Sequence, residues 1–160
     1  MGNRGVITFA TQSNIEKFID NEKAKKLSLA GAPLKGFVEA NPDKMGIYLH
    51  WNGGVSSIRA FLEAAKRLGI RNGVYDESYC IARMAQMVGN FFGGTLYVGV
   101  NTLDSLDTDN YDNGVYVVDD NWEIIGREFV SHEDEDEYDL EGFVAQIIGN
   151  MPESYHKKES

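Results

Sequence analysis

The stretch from Met45 to Leu68 constrains the fold more than any other part of the chain. It reads MGIYLHWNGGVSSIRAFLEAAKRL, which combines a short apolar segment, a Gly-Gly turn and an amphipathic segment. Ile47 and Leu49 alternate with Tyr48 and His50, as in a strand that turns one face toward a core. After the turn, apolar residues recur at helical spacing. The stretch therefore predicts a strand that leads directly into a helix.

The residues on either side predict further strands and helices. Strand composition marks residues 5–11, 95–100, 115–118 and 122–130, and helical spacing marks residues 13–29, 76–91 and 139–148. The predicted order is β-α-β-α-α-β-β-β-α. This order indicates an α+β fold with an antiparallel or mixed sheet of about five strands covered by three to four helices. Turn residues between the last three strands favour an antiparallel meander.

The chain is long enough to form one domain. Its 160 residues, of which 42% are hydrophobic, predict a single domain over residues 1–150. Residues 13–44 are interpreted as an insertion between two strands that would otherwise form a hairpin, and residues 151–160 as a polar tail. The sequence has no apolar run of about 18 residues, the length that would predict a membrane span. One cysteine, Cys80, is typical of a reducing cytosol, so a cytoplasmic location is expected.

Charge is unevenly distributed along the sequence. The net charge is -10, and the segment from Asp104 to Glu141 holds 15 acidic residues and one basic residue, Arg127. Such a concentration of negative charge creates an electrostatic field that repels nucleic acid and attracts basic protein surfaces. The alternative is that the acids only keep the protein in solution.

Nine acids are the candidates for binding a partner. Spaced carboxylates can imitate the phosphates of nucleic acid and occupy a basic groove. The candidate residues are Asp104, Asp107, Asp109, Asp112, Glu133, Asp134, Glu135, Asp136 and Glu137. The spacing does not fit a calcium loop, because a loop that started at Asp107 would have Asp112 and Val118 where glycine and glutamate are needed. No metal and no cofactor is predicted.

The Gly-Gly turn is a second candidate site. Backbone N–H groups at a helix N-terminus can bind an anion such as a phosphate. The segment Asn52-Gly53-Gly54-Val55-Ser56-Ser57 is similar to the Ser-Gly-Gly-x-Asp-Ser loop of PP-loop ATP pyrophosphatases, with Asn52 in place of the first serine and Ser56 in place of the aspartate. The possible ligand-binding residues are His50, Trp51, Asn52, Gly53, Gly54, Ser56 and Ser57. The alternative is that the glycines only turn the chain.

Catalysis by a thiol is the third possibility. A nucleophilic thiolate needs a histidine within hydrogen-bond reach. Cys80 falls on the apolar part of a predicted helix, where a packed and inert thiol is the usual case. No catalytic residue is therefore predicted.

Four blocks of sequence resemble a family of small proteins from phages, prophages and gut-type Firmicutes. The blocks are Gly2-Asn3-Arg4 with Val6-Ile7, GIYLHWNGG over 46–54, NFFGG over 90–94 and DNGVYVV over 112–118. The resemblance implies a context and no active-site residue. Small acidic proteins of mobile elements often inhibit host defence, and anti-CRISPR proteins are among them.

Three functional hypotheses follow. The leading one is a non-enzymatic binding protein that inhibits a host nucleic-acid-binding or defence protein stoichiometrically through its acidic surface, without contacting nucleic acid or membrane itself. The second is a module that binds or hydrolyses a nucleotide or another phosphate ligand at residues 50–57. The third is a structural or self-assembling accessory protein.

Overall fold

A computed structural model describes residues 3–94, 96–135 and 139–152 of the chain. The strands are β1 (Gly5–Phe9), β2 (Ala32–Pro33), β3 (Met45–Leu49), β4 (Val98–Thr102), β5 (Val115–Val118) and β6 (Ile124–Glu128). The α-helices are α1 (Gln12–Ile15), α2 (Asn21–Ala24), α3 (Phe37–Ala40), α4 (Val55–Arg67), α5 (Glu77–Phe92) and α6 (Leu140–Gly149).

The strands form one mixed sheet in the order β2-β6-β5-β1-β3-β4. β1 lies inside the sheet, antiparallel to β3 and parallel to β5. The opposed pairs include Val6 with Tyr48 in β3 and Ile7 with Tyr116 in β5. The predicted α+β class with a mixed sheet and helices is confirmed. The sheet has one strand more than predicted, because the short β2 pairs with β6.

The predicted antiparallel meander of the last three strands is wrong. β5 and β6 do pair antiparallel, but β4 lies beside β3 at one edge of the sheet. β1 separates the two groups because all five of its residues are buried. A strand that is apolar on both faces is most stable inside a sheet, and β1 therefore takes the position between β3 and β5.

The predicted helix over residues 13–29 is also wrong. It is replaced by α1, a 3-10 turn at Glu16–Phe18 and α2. Ile19 is extended and forms a bridge with Leu34, so the helical pattern is interrupted there. Asp20 then starts α2 by accepting a hydrogen bond from the Lys23 amide at 3.2 Å. A bridge and a new N-cap therefore overcome a partial apolar stripe.

The three longest helices cover one face of the sheet. α4, α5 and α6 pack on Ile7, Phe9, Ile47, Leu49 and Tyr116, all of which are buried. α5 and α6 begin within one residue of their predicted starts. The strand and helix predicted for the stretch at 45–68 are present as β3 and α4.

The segment between β1 and β3 covers the opposite face. Ile15, Leu34 and Phe37 pack against Val6 and Val117 in a second buried cluster. Phe37 is fully buried. The region predicted to be an insertion is therefore part of the core, and both faces of the sheet are covered.

Candidate functional site

A buried cation lies beneath the acidic segment. Arg127 in β6 has a fully buried side chain, and its Nη1 donates to the two carboxylate oxygens of Asp134 at 2.6 and 2.8 Å. Its Nη2 donates to the Asn113 carbonyl at 3.1 Å, and its guanidinium lies 3.9 Å from the centroid of the Tyr116 ring. Among the described residues its Nε has no hydrogen-bond partner. A buried charge needs such partners, so Asp134 serves the fold.

Asp134 also joins the segment after β6 to the residues that precede β2. Its Oδ2 accepts a hydrogen bond from the Ala30 amide at 2.6 Å, and its own amide donates to the Ser28 carbonyl at 3.1 Å. Only 12% of its side chain is exposed. Asp134 is therefore unsuited to contact a partner, although the sequence predicted this role.

Asp112 is a second acid with a structural role. Its Oδ2 accepts from Arg4 Nε at 2.8 Å and from the Arg4 amide at 3.2 Å. Burial alone would raise the pKa of the Asp112 carboxyl, but the hydrogen bonds from Arg4 outweigh burial and hold its pKa below the usual value. Arg4 Nη1 also lies 3.6 Å from Asp107.

The two acidic stretches meet at one surface. Ser131 Oγ donates to the carbonyls of Tyr111 at 2.9 Å and Asp112 at 3.2 Å. The loop before β5 therefore adjoins the segment after β6. The exposed acids of these two stretches are Asp104, Asp107, Asp109, Glu133 and Glu135. Asp107, Asp109 and Glu133 are named here the acidic face, whereas Asp104 follows β4 at the opposite end of the sheet. Asp136 and Glu137 lie outside the described residues.

An exposed aromatic residue, Tyr111, lies in the same loop as Asp107 and Asp109. Tyr111 is 78% exposed and has a φ of 62°. The buried Asn110 holds the loop: its Nδ2 donates to the Asp107 carbonyl at 2.9 Å, and its Oδ1 accepts from the amides of Asp112 and Gly114 at 3.1 and 3.0 Å. The loop thus presents Tyr111 outward from a fixed backbone. Sequence reasoning missed this residue, although a lone tyrosine among turn residues was a usable signal.

Gly53, at the second candidate site, has a packing role. Its amide donates to the Asn3 carbonyl at 2.8 Å, and its carbonyl accepts from the Tyr116 hydroxyl at 2.6 Å. A Cβ at Gly53 would lie 2.6 Å from both the Asn3 oxygen and the Gly5 nitrogen. A glycine is therefore needed where the turn passes under the start of β1.

The serines of this loop point away from solvent. Ser56 and Ser57 are buried in the first turn of α4, and Asn52, with a φ of 58°, donates from Nδ2 to Ser57 Oγ at 3.3 Å. Gly54 is the N-cap of α4 and is partly exposed. Anion binding at this helix end stays a prediction.

His50 and Trp51 belong to an aromatic cluster on the same turn. The Tyr48 hydroxyl lies 2.9 Å from His50 Nδ1, and the His50 ring stacks on Tyr97 with centroids 6.3 Å apart. Trp51 meets the His50 ring edge-on at 5.1 Å and is 38% exposed. The cluster, defined as Tyr48, His50, Trp51 and Tyr97, joins the turn to the start of β4.

The remaining sequence hypotheses concern cysteine chemistry, metals and membranes. Cys80 is fully buried, and burial raises the pKa of its thiol to about 12, so the thiolate is scarce at neutral pH. Over residues 3–94, 96–135 and 139–152, no group of three or more His, Cys, Asp or Glu side chains is placed to hold a metal ion. Across the same residues, no helix has the length and apolar character needed to cross a bilayer.

Comparison of the chain with models of protein families, with curated proteins and with solved structures finds no match. The resemblance to phage-associated proteins therefore stays a prediction.

The glycine pair gives a matched test of the packing role. Gly53→Ala should lower the free energy of unfolding by about 2 kcal/mol, because the new Cβ overlaps the backbone of β1. Gly54→Ala meets nothing nearer than Asn3 Nδ2 at 3.4 Å and should cost less than about 1 kcal/mol. Urea unfolding of both variants checks this difference. Equal losses would show that Gly53 has no special packing role.

Two adjacent acids give a matched test of the structural pair. Asp134→Asn removes the charge opposite buried Arg127 and should lower the free energy of unfolding by about 3 kcal/mol. Glu135→Gln changes an exposed residue and should alter it by less than about 0.5 kcal/mol. Urea unfolding at neutral pH measures both. An Asp134→Asn variant as stable as Glu135→Gln would contradict the structural role of Asp134.

Proposed function

We propose that this chain is a small non-enzymatic binding protein that engages a basic surface of a nucleic-acid-binding protein. The observation that carries the proposal is the acidic face, whose exposed acids come from two distant stretches that are in contact beside the exposed Tyr111. Ser131 and Arg127 each bridge the two stretches by hydrogen bonds. The loop at residues 111–113 is therefore held against β6 and the segment that follows it.

The charges and the aromatic residue have different parts in such a contact. Exposed acids steer a basic partner toward the face and fix its orientation. Their contribution to affinity is screened by salt. A tyrosine held in place supplies contact area at a low cost in conformational entropy, and tyrosines are common among the residues that dominate binding energy. Tyr111 is accordingly the proposed centre of the contact.

The charge pattern supports a nucleic-acid-binding protein as the partner. A groove that binds nucleic acid is lined with lysine and arginine and receives regularly spaced phosphates. The acidic face would occupy such a groove one molecule at a time, which is stoichiometric inhibition. The resemblance to proteins of phages and mobile elements supports a host defence protein as the target, in the manner of anti-CRISPR proteins.

The test compares two variants that change the net charge equally. The face variant carries Asp107→Asn, Asp109→Asn and Glu133→Gln, and the control carries Glu16→Gln, Glu22→Gln and Glu123→Gln at exposed positions elsewhere. Immobilised wild type should retain nucleic-acid-binding proteins from a host lysate at low salt. Rising salt and added DNA should release them. The control should retain them, and the face variant should not.

Tyr111→Ala tests the centre of the contact. With a partner purified from that capture, the variant should weaken binding about tenfold or more while unfolding like wild type. Retention by the face variant equal to that of the control, or release that does not depend on salt, would overturn the proposal.

A further inference from the structure

β4 is an edge strand whose outer side is open. It pairs with β3 on one side, and no described strand lies on the other. The Leu103 amide donates to the Lys44 carbonyl at 2.8 Å, and the His50 amide donates to the Tyr97 carbonyl at 2.9 Å. Both pairs continue the register of the antiparallel ladder, which fixes the side on which each β4 residue bonds.

Residues of an antiparallel strand bond alternately to one side and to the other. Since Tyr97 and Leu103 bond toward β3, so do Gly99 and Asn101. The N–H and C=O groups of Val98 and Val100 are therefore directed to the open side. The Thr102 amide is not available to an added strand, because it donates to the side-chain Oδ1 of the preceding residue, Asn101, at 2.8 Å.

This edge lacks the usual protection against pairing with another strand. Natural edge strands are guarded by charged side chains, proline or bulges. The β4 sequence VGVNT has neither charge nor proline, its pairing with β3 is regular, and Val100 is 44% exposed. An extended segment can therefore add to β4 through backbone hydrogen bonds.

The two ends of the edge differ in chemistry. At the start of β4, Leu96 and Tyr97 are 91% and 42% exposed, and Tyr97 belongs to the aromatic cluster. At the end, Thr102 Oγ1 donates to Asp104 at 2.5 Å. Asp104 is exposed, so the edge leads from an apolar surface to a negative charge.

We propose that β4 accepts an extended basic segment of the partner as an additional strand. Apolar side chains of that segment would pack beside Leu96 and Val100, and its lysine or arginine side chains would reach the Asp104 carboxylate. The positive charge of the occupant rests on the proposed function; the open edge does not. A second copy of this chain is the less favourable occupant, because each copy carries a net charge of -10.

A defined peptide tests this inference. The probe is acetyl-KVKVKVK-amide, and its control is the same peptide with N-methylated amides at residues 2–6, which keeps the charge and removes strand hydrogen bonding. At low salt the probe should bind and slow hydrogen exchange of the Val98 and Val100 amides at least tenfold, as followed by NMR. The methylated peptide should do neither.

Substitution at Val100 gives the matched variants. Val100→Pro removes an outward N–H together with the valine side chain, a change that edge strands tolerate, and should weaken binding of the probe at least tenfold. Val100→Thr keeps the amide and should bind like wild type. Hydrogen exchange in the wild type keeps the test valid even if Val100→Pro is unstable.

Three results would overturn the inference. They are no binding of the probe, equal binding of the two peptides without protection of Val98 and Val100, and protection that appears without peptide as the protein concentration rises. The second result leaves the proposed function intact, because it reports charge attraction alone. Conversely, protection by the probe that persists in an Asp104→Asn variant would retain strand addition and remove the contact with Asp104 from it.

Discussion

The rest of the structure depends on the burial of one cation, Arg127. Its guanidinium is bonded to Asp134 beyond β6 and to the Asn113 carbonyl before β5, and it lies against the ring of Tyr116. The Tyr116 hydroxyl continues the connection to the Gly53 carbonyl just before α4. One set of contacts thus joins the acidic segment, the sheet and the turn that begins the first long helix. Removing one partner of a buried ion pair costs more than the pair itself contributes, so each member is needed.

This arrangement divides the acids into two groups with different roles. Asp112 and Asp134 are largely buried and satisfied by Arg4 and Arg127. They fix the backbone from which the acidic face projects. The exposed acids lie on segments that these pairs hold in contact, which is an arrangement suited to a basic partner. The sequence shows a single run of negative charge, whereas the structure separates the acids that support the fold from the exposed acids that are available to a partner.

Local patterns were sufficient to predict much of the fold. α4, α5 and α6 follow apolar spacing within each segment, and β3 follows alternation, so their positions were predicted closely. Pairing between distant segments was not predictable in this way. β1 pairs with β5 across more than a hundred residues of chain, and nothing local in β4 indicates that it belongs beside β3. The meander was inferred from the turns alone and failed for this reason.

The candidate site was predicted in part, for the same physical reason. The acidic stretches were evident from charge, but Asp134 could not be distinguished from its neighbours without knowing that Arg127 is buried. Gly53 was recognised as a turn residue, yet the backbone of Asn3 and Gly5 that requires a glycine lies far away in sequence. Tyr111 was overlooked because its exposure depends on how Asn110 and Ser131 hold the loop.

A double-mutant cycle on Arg127 and Asp134 tests the central claim most directly. The free energies of unfolding of Arg127→Met, Asp134→Leu and the double variant would be measured in urea at neutral pH. The account predicts that the double variant is more stable than the sum of the single losses implies, with a coupling energy of about 2 kcal/mol or more. Losses that add to within about 0.5 kcal/mol would show that the pair does not hold the acidic segment to the sheet.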